Sequence, residues 1–545
     1  MKSVLEIIRE RTKGLRLLFA GNVLVSILSS VSYMVLTMAI QLIIAVASKE
    51  TPYSLSGVAL FAVGALAYWA VMSIFSEIIG GHLEINVEKK IRSGIMETLF
   101  RKTVLSVHTM NTGEITTRLT EDVRNISDFI VGISGRIIVA IFTSALAIIY
   151  MFILSWQMAL IMVIMVPVLT VIISVFAPVL QKLAAENLGD EDSVKSLFQD
   201  VLAHLDLFKV YRMDSEMDAA LDARYKKKRS SRIKLAKFRG VFMFLDNFMS
   251  FGVLIITLVI GAYFALKGQI GISKLITIVQ LANYTSWPLS NFSQWVAQFA
   301  TVRASTDRID EIENLEDESE RAKLGDNCVP ERILLSDIAF AYDKEKFILK
   351  KVSATFEKGK IVGIVGKSGI GKSTLIQIII GLYEASAGNI VFQTPDSEIE
   401  FPSVGAVGYV PSDRFIFSGT IKDNVCMSLP YDKERLESIL LDINLSAHVN
   451  SLSDGIDAIV EEGGQNLSMG QAQRLAIARA FYSRANVLVF DEPTANLDVG
   501  SIKMFHDAIR KHSENKICII VTHDKDTIDF CDVKYEIDDG MLREV

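Results

Sequence analysis

The chain has 545 residues, half of them hydrophobic and 22% charged, with 56 Lys and Arg against 63 Asp and Glu, and its mean hydropathy is +0.35. Soluble proteins average about 25% charged residues, and nucleic-acid binders present a basic surface, so nucleic acid is excluded as a partner and a membrane protein with a soluble part attached remains. With 33 Gly and 10 Pro the composition is neither collagen-like nor disordered, and so few prolines suit long helices.

Apolar stretches recur over the first 300 residues. The first, 17–47, would be about 46 Å long as a helix, more than a bilayer core needs and too long for a signal-peptide core. The others cover 54–79, 136–154, 158–180, 241–266 and 272–300, the third and fourth being joined across Ser155-Trp156-Gln157. Six spans are therefore expected. Cations crowd the amino-terminal segment and the connections after spans two and four, whereas Lys49 and Lys267 are nearly alone on the other side. The positive-inside bias puts both termini in the cytoplasm. The run 224–239, with Lys226, Lys227, Lys228, Arg229, Arg232, Lys234 and Lys237, reads as a cytoplasmic helix near anionic headgroups rather than a nucleic-acid site.

The two cytoplasmic connections lack the Gly and Pro of loose loops. The helical pattern continues through 82–100 and 183–208, so the spans extend as levers with turns at 107–114 and 202–213. Polar residues inside spans are expensive unless they face a cavity or another helix. Asn22, Ser26, Ser29, Ser30, Thr37 and Gln41 in the first span, and Asn283, Tyr284, Trp287, Asn291, Gln294 and Gln298 in the sixth, mark either a wet, mostly uncharged inner face or interhelical packing.

From 307 to 331 the composition turns acidic and polar, a linker. The expected division is 1–310 membrane domain, 311–331 linker and 332–545 soluble domain. In the last part strands at 333–340, 348–356 and 361–365 lead into alternating strands and helices, an α/β pattern. Gly366-Lys367-Ser368-Gly369-Ile370-Gly371-Lys372-Ser373 follows an apolar strand and opens a helix, which is the context a phosphate-binding loop requires. Its backbone N–H groups and the helix amino-terminus suit phosphate oxygens, Lys372 reaches the β- and γ-phosphates, and the Ser373 hydroxyl suits Mg2+. A second apolar strand, 487–490, ends in Asp491 and Glu492, placed for Mg2+ and for polarising a water. The four cysteines, Cys328, Cys426, Cys518 and Cys531, read as scattered reduced thiols, and no zinc pattern accompanies them.

Leu467-Ser468-Met469-Gly470-Gln471 resembles the signature of ATP-binding cassette (ABC) proteins. The other landmarks follow in order: Tyr342 where the family stacks an aromatic on adenine, Glu462-Gly463-Gly464 before the signature, Ala495-Asn496-Leu497-Asp498 like the D-loop, and His523 like the switch histidine. With six spans ahead of it, the chain resembles an ABC exporter half-transporter over nearly its whole length. The resemblance implies a membrane all-α six-helix ABC exporter domain followed by an α/β P-loop NTPase domain. It implies ATP and Mg2+ as cofactors, with Glu492 and His523 catalytic. It assigns Tyr342, Gly366 to Thr374, Ser468, Gly470, Gln471 and Asp498 to the nucleotide and Ser373 and Asp491 to the metal, with Ser412 as a weaker metal candidate.

Two positions depart from the family pattern. Ser412 stands where the family has Gln, and its shorter side chain implies slower hydrolysis or altered coupling; Met469 replaces the first glycine of the signature. One signature and one phosphate loop per chain imply a homodimer or pairing with a related half-transporter around two ATP. The expected activity is ATP-driven export of a peptide, drug-like or lipidic amphiphile across a bacterial cytoplasmic membrane. The alternatives are a lipid flippase, an ATP-gated channel or a soluble ABC ATPase. No peptidase-like domain precedes the spans, so substrate processing is not expected.

Overall fold

The computed structural model describes residues 14–318, 330–342, 346–395, 397–400, 407–495, 497 and 499–545. The chain divides into two compact units, one running to Phe100 and again over Met110–Leu315, the other made of Arg101–Thr109 with Glu316–Val545.

The first unit is helical: α1 (Arg16–Ala47), α2 (Leu55–Leu99), then, after the short α3 (Val104–His108) of the other unit, α4 (Thr112–Leu154), α5 (Trp156–Ala203), α6 (Leu205–Val210), α7 (Asp214–Leu266) and α8 (Ile272–Glu313). Among the described residues α1, α2, α4 and α7 are long and apolar enough to cross a membrane. The remaining two expected spans fall on α5, whose apolar part is described over Trp156–Met165, and on α8, which is diluted by its Asn, Gln and Ser residues and carries Pro288. At the helical rise α2, α5 and α7 measure about 65–80 Å, well over twice a bilayer core, so they extend beyond it. The α4–α5 turn is a single extended residue, Ser155. The first lever tip is wider than 107–114, because α3 sits inside it, whereas the second is α6 with its flanks.

Burial follows helical spacing. Leu83, Val87, Ile91 and Ile95 form an i, i+4 stripe on α2 that packs with Val123, Ile126 and Phe129 of α4 and Val302, Ile309 and Ile312 of α8. On the opposite faces large side chains such as Leu60, Val63, Ile74 and Phe75 stay exposed, as lipid contact demands. Two π-turns, Arg118–Asp122 and Phe129–Ile133, interrupt α4. At the first of them Arg118 is buried and bonds the Arg308 carbonyl (2.7 Å) and Glu311 (2.7 Å). Asp122, also buried, accepts from Ser305 (2.7 Å) and Arg308 Nε (2.8 Å). A wet face on α1 is not what forms. Asn22, Ser26, Ser30 and Thr37 are buried, and the last three donate to carbonyls of their own helix (2.8, 3.0 and 2.9 Å). Ser30 also reaches the Val139 carbonyl of α4 (3.3 Å), and Gln41 accepts from Tyr150. These residues pack helices together. On α8, Asn283, Trp287 and Gln294 are exposed.

The second unit centres on a sheet of ten strands: β1 (Arg332–Ala341), β2 (Phe347–Glu357), β3 (Ile361–Gly366), β4 (Ala387–Gln393), β5 (Glu398–Glu400), β6 (Val407–Val410), β9 (Val487–Asp491), β10 (Ile517–Val521), β11 (Val533–Asp538) and β12 (Met541–Glu544). Gly419–Thr420 and Ile459–Val460, β7 and β8, form a separate pair. The order is β5-β4-β1-β2-β12-β11-β3-β10-β9-β6, antiparallel among β5, β4, β1 and β2, and parallel across β11, β3, β10, β9 and β6. β9 and β10 are buried at every residue, as strands covered on both faces must be. Helices α9 (Lys372–Ile379), α10 (Ile421–Cys426), α11 (Lys433–Asp442), α12 (Ser446–Ser451), α13 (Met469–Tyr482), α14 (Val499–His512) and α15 (Lys525–Phe530) complete the unit. The Arg101–Thr109 stretch joins it through Val104 and Leu105, which pack on its core, through Lys102 paired with Asp317 (2.8 Å), and through the Thr103 N–H on the Glu316 carbonyl (2.9 Å). Cys426, Cys518 and Cys531 are buried free thiols.

Candidate nucleotide site

β3 ends at Gly366 and α9 begins at Lys372, so the loop between them turns in five residues. Gly369 and Gly371 have φ +77 and +112, and a Cβ on Gly371 would stand 2.8 Å from Ile348 Cγ2. Conformation and space both require glycine there. Among the described residues no side chain caps the amino-terminus of α9, which leaves its first N–H groups facing the loop. Lys372 Nζ arches back to donate to the carbonyls of Gly366 (2.8 Å) and Lys367 (3.1 Å), closing the loop over its own backbone.

The parallel strands deliver the acidic groups. Asp491 ends β9, is buried, and accepts from Ser373 Oγ at 3.0 Å. Burial pushes its pKa up; the Ser373 hydroxyl opposes the shift and the neighbouring Glu492 adds to it. Glu492 leaves the strand with φ +50, a left-handed backbone unusual for this residue, and its N–H bonds the Val521 carbonyl of β10 (2.8 Å). Two residues past that carbonyl His523 brings Nδ1 to 3.3 Å from Glu492 Oε1. Both side chains open to solvent, as reacting groups must. This is the carboxyl edge of a parallel sheet, where such folds place their ligands.

Tyr342 is half-exposed, with its hydroxyl 3.1 Å from Thr374 Oγ1 and its ring edge-on to Phe340 at 5.1 Å. It borders a cavity of about 920 Å3 lined by Phe347, Ile348, Gly369 and Ile370 among others. Ser468 caps α13 in a reciprocal box: its Oγ accepts the Gln471 N–H (3.3 Å) and Gln471 Oε1 accepts the Ser468 N–H (2.8 Å). The cap uses a lone pair and leaves the Ser468 proton free to donate outward. Met469 beside it is 62% exposed, so the larger side chain meets no crowding within this chain. Thus Ser373 meets Asp491, Glu492 meets His523 and Tyr342 meets Thr374, while Ser468, Gly470 and Gln471 keep to their own helix. Ser412 is exposed and its hydroxyl makes no hydrogen bond among the described residues. Asp498 and Asn496 lie outside the described residues.

Three residues joined to this site carried no signal of their own in the sequence. Tyr409 is largely enclosed, accepts from Gln377 Nε2 (3.4 Å), and has its pKa pushed up to about 12 by burial and by the charge of Asp491, so it stays a neutral phenol beside that carboxylate. Arg479, its pKa lowered by burial, holds the Phe415 and Asn424 carbonyls (2.8 Å each). Arg414 donates to the Met469 carbonyl (3.2 Å). The two arginines fasten the loop after Ser412 to the signature helix.

A phosphate loop, an acidic strand end and a helix-capping signature on one sheet define an ATP-hydrolysing cassette behind a membrane domain. Two family models match, the ABC transporter transmembrane region over residues 19–289 and ABC transporter over 349–495, and the chain belongs to the ABC transporter family. It is 25% identical over 483 residues to the ABC transporter ATP-binding protein YwjA of Bacillus subtilis (86% of this chain, 82% of that one). It is 26% identical over 483 residues to a multidrug resistance ABC transporter ATP-binding and permease protein of Lactococcus lactis (87% and 81%). In fold it resembles a bacterial Atm1-family ABC exporter solved with ATP bound, at TM-score 0.79 and 20% identity over 97% of this chain and 95% of that one. The chain is a multi-pass membrane exporter that hydrolyses ATP.

Proposed function

We propose that two copies of this chain, or this chain and a related half-transporter, close around two ATP and use their hydrolysis to move a peptide, drug-like or lipidic amphiphile out across a bacterial cytoplasmic membrane, with both termini in the cytoplasm. Residues 1–310 form the gate, 311–331 a linker and 332–545 the engine. The observation that carries this reading is the pairing of Glu492 with His523 beside Asp491 and Ser373.

In this reading Tyr342 stacks on adenine at the mouth of the cavity, and Thr374 steadies its hydroxyl. The amides of Gly366 to Ser373 and the Lys372 ammonium hold the phosphates. Ser373 and Asp491 offer two oxygens 3.0 Å apart, a donor pair that fits Mg2+, which neutralises phosphate charge when bound. Ser412 is too short to touch that ion directly and acts through water. Glu492 takes the proton of the attacking water, and His523 holds that carboxylate and reads the γ-phosphate. From the partner, the Ser468 proton, the Gly470 amide and the α13 amino-terminus, locked by Gln471, complete the site, with Asp498 alongside. Closure favours the outward-open state, and loss of the γ-phosphate removes that preference.

The polar, uncharged side chains exposed on α8 support an amphiphilic cargo, and the names of relatives agree: one is a multidrug resistance transporter, another the lactococcin-G-processing and transport protein LagD, 27% identical over 71% of this chain and 56% of its own length. The test is proteoliposome transport with a panel of peptides, drugs and lipids. Stimulated ATPase with vectorial uptake is expected, and Glu492→Gln should lower both by about 10²-fold or more. Transport at normal turnover in that variant overturns the reading. Transfer of headgroup-labelled lipid alone makes the chain a flippase.

A further inference from the structure

The cations of 224–239 fall into two sets. Arg224 donates to the Ser193 carbonyl (2.6 Å), Lys227 pairs with Asp190 (3.1 Å) and Lys228 with Glu191 (3.2 Å), so these three are occupied by α5. Lys226, Arg229, Arg232, Lys234, Lys237 and Arg239 are exposed and make no ion pair among the described residues. Nothing acidic stands between 224 and 240. The antiparallel register fixed by those pairs and by Phe176 against Phe238 (6.5 Å) brings exposed Lys182 of α5 level with Lys234. Glu186 falls level with Ser230, farther from the apolar segment. Immediately beyond Arg239 the helix exposes Val241, Met243, Phe244 and Phe248.

At 1.5 Å per residue Lys234, Lys237 and Arg239 lie within about 10 Å of the first of those apolar residues. That is about one Debye length at physiological salt. Arg229 and Lys226 lie beyond it and are screened. The geometry points to Lys234, Lys237, Arg239 and Lys182 as a belt of cations that binds anionic phospholipid headgroups at the level where α7 leaves the bilayer, with Lys237 and Arg239 on opposite sides of the helix. The aliphatic stems lie along the apolar edge while the charges meet the phosphates. Each cation near a charged leaflet strengthens association about fivefold. The inference deepens the proposed membrane setting and rests on α7 crossing the bilayer, not on catalysis.

The full chain, reconstituted without nucleotide in phosphatidylcholine vesicles, is given either spin-labelled phosphatidylglycerol or spin-labelled phosphatidylcholine, and EPR reads the immobilised lipid fraction. Several-fold preference for phosphatidylglycerol is expected. It should fall at high salt and in Lys234→Gln/Lys237→Gln/Arg239→Gln, and persist in Lys227→Gln/Lys228→Gln, whose cations are already paired. The proposal is overturned if the wild type shows no preference, as when a second copy buries the belt, if the triple variant keeps it, or if the paired double variant loses as much. No ATP enters the measurement, so failure of the export reading leaves the result standing.

Discussion

Asp491 is ionisable at the end of a strand buried along its whole length, and that burial raises its pKa. The folded chain therefore holds this proton more tightly than the unfolded one. Stability from the group is present at low pH and lost as pH rises through the folded value. At neutral pH the bare carboxylate destabilises, so Asp491→Asn, which still accepts from Ser373, should raise the melting temperature of the nucleotide-free protein at pH 7.5 while abolishing hydrolysis. The gain should vanish as pH falls into the ordinary carboxylate range; scanning fluorimetry across pH checks it, and a lower melting point at pH 7.5 refutes it. Ser412→Gln restores a side chain two heavy atoms longer, and should raise the ATPase rate several-fold and sharpen its Mg2+ dependence; an unchanged rate and dependence would discard the role given to the shorter residue. The phosphate loop was legible because phosphate chemistry demands fixed spacing of Gly, Lys and Ser. Tyr409 was not, since an aromatic inside a strand announces nothing until its hydroxyl is seen beside Gln377.

At the scale of elements the levers hold a lesson of the same kind. Arg118 counts in the sequence as one more cytoplasmic cation, yet the structure turns it inward to α8, onto partners 190 and 193 residues away. No local pattern encodes so distant a partner. Asp122 beside it is 1% exposed and bound to Arg308 and Ser305. Removing Arg308 leaves the buried Asp122 carboxylate without its cation, so Arg308→Ala should cost about 3 kcal/mol, the low end for a buried pair because the Arg308 side chain is itself 45% exposed, in thermal or denaturant unfolding of the detergent-solubilised chain. Asp122→Ala/Arg308→Ala should recover part of that loss, and additive losses would show that the two residues do not act as a pair. The turn at Ser155 was legible because Ser155 and Gln157, either side of Trp156, interrupt apolar runs in both directions. The polar stripe of α1 fitted cavity and packing equally well, and only the burial of Asn22, Ser26, Ser30 and Thr37, with Ser30 reaching the Val139 carbonyl of α4, decided for packing.

For the whole molecule, the order of a membrane domain followed by a nucleotide-binding domain was readable in the sequence, whereas the return of residues near 101–109 to the carboxy-terminal unit was not. A signature whose Ser468 is engaged only with Gln471 of its own helix among the described residues makes a complementation test possible. Lys372→Ala and Ser468→Arg should each be inactive alone. Co-assembled, they contain one composite site with both groups intact and should regain part of the wild-type ATPase rate; no recovery in a verified mixed dimer would rule out sites shared between copies. The bond from Ser106 to the Glu316 carbonyl spans 210 residues. The ribosome thus releases Val104 and Leu105 long before the surface that receives them has been synthesised. Maturation must finish with that segment docking into a freshly completed fold, and a fragment begun at 316 would carry an empty apolar socket where nature supplies a plug from upstream.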